Sequence, residues 1–147
     1  MKPLRIFLIA VAVAVAIASC GGSSSTPSNF TGAAWSVTLT TTLDCGGQTT
    51  SDSQSVTIVF TETNSDIGYI SNGGCDYQLA LSGDTGTLAN SPVTCSTVAS
   101  DGSTLLLNID SYTATCADGH HLTIVASGTV TDSGSTCNVT LNGSGTR

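Results

Sequence analysis

From Ala33 the side chains alternate. Trp35, Val37, Leu39, Thr41, Leu43 and Cys45 take the odd positions, and Ser36, Thr38, Thr40, Thr42 and Asp44 the even ones. A period of two marks a half-buried strand. Residues 46–53 are polar and read as a loop. A second strand is expected near 54–63, with Val56, Ile58 and Phe60 on one face and Val59 as an exception. After the turn at 63–66, Ile67 to Ser71 gives a short third strand. The fourth starts at Cys75 and puts Cys75, Tyr77, Leu79 and Leu81 on one face. Ser82-Gly83-Asp84-Thr85-Gly86 is a tight turn by its Gly and Asp content. A fifth strand is expected from Thr87 to Val98, kinked at Ser91-Pro92, because proline breaks ladder pairing. Three more follow, Thr104 to Cys116, His121 to Thr131 and Cys137 to Thr146, separated by turns at 100–103, 118–119 and 132–135.

The expected fold class is therefore all-β: an antiparallel up-and-down meander of eight strands with hairpin-like connections. With eight strands the last runs antiparallel to the first and can pair with it. Closure into a small barrel removes both exposed edges. An open or sandwiched meander is the alternative.

The first 29 residues follow another pattern. Lys2 and Arg5, two of the chain's three cations, precede an unbroken apolar run of thirteen residues, Ile6 to Ala18. A basic start, a short apolar core and small residues before a cut make a secretory signal peptide. The run falls short of the about 20 residues a spanning helix needs. It ends in Ile17-Ala18-Ser19-Cys20, which resembles the lipobox of bacterial lipoproteins, an apolar residue and two small ones before a cysteine. That resemblance implies cleavage between Ser19 and Cys20, a thioether diacylglycerol on Cys20 and, in many bacteria, acylation (typically palmitate) of the new terminus. Gly21 rather than Asp after the cysteine favours, in that family, the outer membrane over retention at the inner one. Two or more acyl chains hold firmly where one binds reversibly. Residues 21–29, GGSSSTPSN, have nothing apolar to bury and read as a flexible tether. The domain order is thus signal peptide 1–19, lipidated cysteine and tether 20–29, and a single β domain 30–147.

Charge narrows the partners. Without residues 1–19 one cation, Arg147, faces ten carboxylates. Such a body is repelled by nucleic acid, which is set aside as a partner. Seven of the acids, Asp44, Asp52, Asp66, Asp84, Asp101, Asp118 and Asp132, fall in expected turns, where aspartate binds backbone N–H groups.

Six cysteines less Cys20 leave five, and an exported chain pairs most of them. Strand directions put Cys45, Cys75, Cys95 and Cys137 at one end of the meander and Cys116 at the other. Cys75 and Cys95 lie nine and eleven residues from Asp84 on either side of one turn. Cys45 and Cys137 meet only if the first and last strands are neighbours. The expected bridges are Cys75–Cys95 and Cys45–Cys137, with Cys116 free or intermolecular. Spacings of 20–30 residues, without Cys-x-x-Cys, suit strand staples better than a metal site. No metal and no cofactor is expected.

Catalytic patterns are absent. There is no Gly-x-Ser-x-Gly elbow and no paired acid and base. His120 and His121 follow Asp118-Gly119, but neighbouring strand residues point to opposite faces, so a solvated turn is the simpler reading. No enzyme is expected. Gly32 and Trp35 enter the first strand as Gly-x-x-Trp, similar to the Gly-x-Trp opening of lipocalin-type barrels, with one residue more in the spacing. Two functions follow. The first is a membrane-anchored, non-enzymatic binding or structural surface module for an unknown protein. The second is a lipocalin-like carrier of a small apolar ligand, in a cavity lined by Trp35, Leu39, Tyr77, Leu79, Leu122 and Ile124.

Overall fold

The structure is a computed structural model and describes Phe30 and residues 34–64, 66–72, 74–99 and 102–147. The expected signal segment, Cys20, the tether and Gly32 lie outside the described residues. Nine strands form one antiparallel meander. They are β1 Ala34–Cys45, β2 Gln48–Asn64, β3 Ile67–Asn72, β4 Cys75–Ser82, β5 Thr85–Leu88, β6 Val93–Val98, β7 Thr104–Thr115, β8 His121–Asp132 and β9 Ser135–Thr146. Their order in the sheet is β5-β4-β3-β2-β1-β9-β8-β7-β6, and a further β5–β7 pairing closes it into a ring.

The eight strands of the sequence become nine because the fifth is split. β5 and β6 run along the same edge of β7, pairing Thr85 with Thr115 and Val93 with Ile109. Between them lies the cis Ser91-Pro92 bond. Proline has no N–H to give the ladder, and β7 answers with its own irregularity. Ile109 pairs Gly128 and Ser111 pairs Ser127, so Asp110 is left out of register. Its carbonyl accepts the Ser91 hydroxyl instead, at 2.5 Å. The two interruptions face each other and satisfy each other.

A second correction concerns residues 46–53. Only Gly46 and Gly47 make the turn, both with positive φ, as a two-residue hairpin requires. Gln48 to Ser53, expected as loop, is strand, paired with β1 from Cys45↔Gln48 to Ala34↔Val59. Asp52, expected in a turn, therefore sits within β2. No apolar residue marks the alternation there, because Gln48 to Ser53 are exposed on both faces.

The core is the inward face of the ring. Trp35, Val37, Leu43, Ile58, Phe60, Ile70, Tyr77, Leu79, Ile109, Tyr112, Leu122, Ile124 and Val139 belong to one buried cluster. Burying each large apolar side chain is worth roughly 1.5–3 kcal/mol. Threonine and serine fill much of the outer face of β1 and β2, where hydroxyls meet across strands. Thr40 bonds Ser53 and Thr42 bonds Ser51, each at 2.8 Å. β-Branched threonine suits this half-wet surface.

Candidate functional site

The strand directions define two ends. The upper end, where β1 stops, carries the Cys45–Cys137 bridge, while Cys75–Cys95 lies lower, beside the β3–β4 turn. Cys45 is joined to Cys137 and Cys75 to Cys95, with Cα–Cα distances of 4.4 and 5.4 Å. The first binds β1 to β9 just past their last ladder pair, Asp44↔Asn138. The second joins β4 to β6, strands that share no ladder.

The lower end, where β1 starts, brings together Asp118, His120, His121 and Arg147. Asp118 opens the turn between β7 and β8. Its Oδ1 accepts the backbone N–H groups of His120 and His121, at 2.9 and 2.7 Å. Gly119 between them has φ of 74°, in the left-handed region that glycine enters without strain. Oδ2 of Asp118 meets Nδ1 of His121. This contact, and then the two N–H groups, hold the Asp118 carboxyl well below the usual carboxylate range. His120 and His121 are exposed, as a solvated turn implies.

Arg147 crosses this end. Its Nε donates to the carbonyl of Gly119, and its backbone N–H to that of His120 at 3.3 Å. The guanidinium carbon lies 4.8 Å from the centroid of the Trp35 ring, within cation–π range. Trp35 is fully buried, and its Nε1 has no hydrogen-bond partner. Phe30 is buried in the same core cluster, its ring centroid 4.9 Å from that of Phe60. The N–H of Cys116 donates to the carbonyl of Asp84 at 2.8 Å, tying the β7–β8 turn to the β4–β5 turn.

Cysteine, aspartate and histidine thus lie within six positions, Cys116 to His121. Cys116 is buried and outside any disulfide. Burial pushes its thiol up, against a smaller opposing pull from the Gly119 backbone. A reactive thiolate needs the reverse shift. Among the described residues no three His, Cys, Asp or Glu side chains gather as a metal site would require.

The six candidate lining residues, Trp35, Leu39, Tyr77, Leu79, Leu122 and Ile124, are all buried, none more than 3% exposed. Around them space is short. A Cβ added to Gly143 would stand 3.2 Å from both Leu39 and Ile124, and one on Gly86 3.2 Å from Leu79. Tyr77 stacks on Tyr112, centroids 4.9 Å apart, and burial pushes the Tyr77 hydroxyl up to about 12 and that of Tyr112 higher still. The Tyr112 hydroxyl has no hydrogen-bond partner. The contact of Arg147 with Trp35 was out of reach of sequence reasoning, since nothing local links residues so far apart.

No family model, no curated protein and no solved structure matches this chain.

Proposed function

We propose that the chain is an exported lipoprotein. Acyl chains on Cys20 hold it to a bacterial membrane, with the outer membrane favoured, and its β ring serves as a non-enzymatic binding or structural module. The observation that carries this is the Ile17-Ala18-Ser19-Cys20 motif after a basic start and a short apolar run. Two disulfides agree with an oxidising, exported setting. The raised Cys116 thiol favours binding over catalysis. The acidic body would repel an anionic bilayer, so attachment falls to the lipid. Converting Cys20→Ala in the native host tests this: the protein should move from the membrane to the soluble fraction. A variant that stays with the membrane would remove the anchor from the proposal.

The carrier reading has one observation in its favour, the unpartnered Tyr112 hydroxyl and Trp35 Nε1 in the interior. Tight contacts at Gly143 and Gly86, against three of the six lining residues, weigh on the other side. Native mass spectrometry decides between them. A retained small molecule would favour the carrier, and the bare mass the surface module.

A further inference from the structure

Val59 breaks the alternation of β2. Ile58 and Phe60 on either side of it are buried in the ring, so Val59 faces out, 39% exposed. It has apolar neighbours on that outer face. Its direct partner on β1 is the exposed Ala34. On its other side β2 pairs Thr61 with Tyr69, which sets Tyr69, 40% exposed, on the diagonal from Val59. Ile67 lies two residues before Tyr69 on the same face, half-buried, and its partner on β4 is the exposed Ala80. Direct and diagonal neighbours of this kind are within side-chain reach. Ala34, Val59, Tyr69, Ile67 and Ala80 thus make one apolar strip across four strands. Thr61 within it carries a hydroxyl and no charge, and the exposed Asp66, Asp76 and Asp84 stand at its borders.

Single exposed apolar residues are ordinary on a protein surface, whereas a contiguous set marks a contact face. Phe30 indicates which contact. It is buried with its ring centroid 4.9 Å from that of Phe60, and Phe60 is the chain neighbour of Val59. The chain coming from Cys20 is therefore fixed to the body at the part of β2 that carries the strip. The ten residues 20–29 span at most ~35 Å, which sets how far a lipid on Cys20 lies from it. The other exposed large apolar residues among those described, Val98, Leu106 and Val125, lie on β6, β7 and β8, across the ring from β2 and β3.

We infer that this strip rests on the headgroup layer of the bilayer to which Cys20 ties the chain, an inference that depends on the anchor proposed above. Tyrosine suits that layer, because its ring enters the apolar side while its hydroxyl stays wet. The lipid supplies attachment, and the strip supplies orientation. It turns the flank of β2, β3 and β4 to the membrane and leaves β7 and β8 facing away. The bordering carboxylates favour a zwitterionic surface over an anionic one.

The test places an indole in the strip. Tyr69→Trp and, as the far-side control, Leu106→Trp are made in the full chain, expressed in the native host and purified in detergent. Each is reconstituted into phosphatidylcholine vesicles with and without bromine on the acyl chains near the headgroup. The unsubstituted chain, whose sole tryptophan, Trp35, is fully buried, gives the background. Bromine should quench most of the emission added at position 69 and leave that added at 106 nearly unchanged. Adding Val59→Asp to Tyr69→Trp should lower the quenching to that of the control. Flotation of the vesicles reports the anchor separately. A chain that does not float would remove the anchor and this inference with it. A chain that floats but is quenched equally at 69 and 106, or at neither, would overturn the inference and leave the anchor standing.

Discussion

Gly128 shows how closely single residues are fitted. A Cβ there would lie 2.1 Å from the carbonyl oxygen of Asn108 and 2.8 Å from the Cα of Ile109. Those are backbone atoms beside the irregularity at Asp110, and they cannot step aside as a side chain can. Gly128→Ala should therefore lower stability by about 1–3 kcal/mol, the usual cost of overpacking. Gly143→Ala should cost less, because its neighbours at 3.2 Å are the side chains of Ile124, Leu39 and Val37. Chemical denaturation of the two variants measures the difference, and equal losses would contradict the account. Asp118 carries a prediction about pH. Its carboxyl titrates lower in the folded chain than in the unfolded one, where the usual value is about 3.9. Its stabilising contribution is then complete above that value and is lost as pH falls through the folded one. The unsubstituted chain should lose melting temperature on acidification below about pH 4. Asp118→Asn should be less stable at neutral pH and fall more gently over the same range. The pair is exposed, so salt should shrink the difference. A melting series from pH 2 to 6, an interval chosen to bracket that value, reads it; parallel curves would contradict it.

Strands are held by different means at different places. β1 and β9 share nine ladder pairs as well as the Cys45–Cys137 bridge. β4 and β6 share no ladder pair and are joined covalently by Cys75–Cys95. On a chain-entropy view the first bridge, closing 92 residues, is worth ~4.6 kcal/mol, and the second, closing 20, ~3.3 kcal/mol. Removing the first with paired alanines should lower global stability more. Removing the second should also open the seam locally, so that β6 amides exchange faster while those of β1 and β9 do not. Hydrogen exchange separates the two effects, and unchanged β6 protection would show that the seam needs no staple. Legibility in the sequence varied with burial. β1, β4 and β8 have one wet and one dry face, and their alternation was plain. The upper half of β2 is wet on both faces, so Gln48 to Ser53 carried no period to read and looked like loop. At Ser91-Pro92 the proline was visible, but the answering irregularity at Asp110 was not, because it depends on what β8 presents to β7.

For the whole molecule, the direction of each strand followed from counting hairpins. That count gave the two pairings that the structure shows, but not their placing: Cys45–Cys137 lies where β1 stops, and Cys75–Cys95 lower, beside the β3–β4 turn. The lower end was harder to foresee. Asp118 and His121 were in view as a turn, but Arg147 over Trp35 is a product of ring closure, which brings β9's end beside β1's start. The domain's entry is at that same lower end, since β1 begins there.

The central claim is that this ring is held to a membrane through Cys20. The intact mass of the native protein extracted from membranes tests it most directly. The account expects a chain beginning at Cys20, heavier than its sequence by a diacylglyceryl group and an added acyl chain, and lighter by the four hydrogens of two disulfides. A chain that begins at Met1, or whose Cys20 carries no lipid, would contradict it.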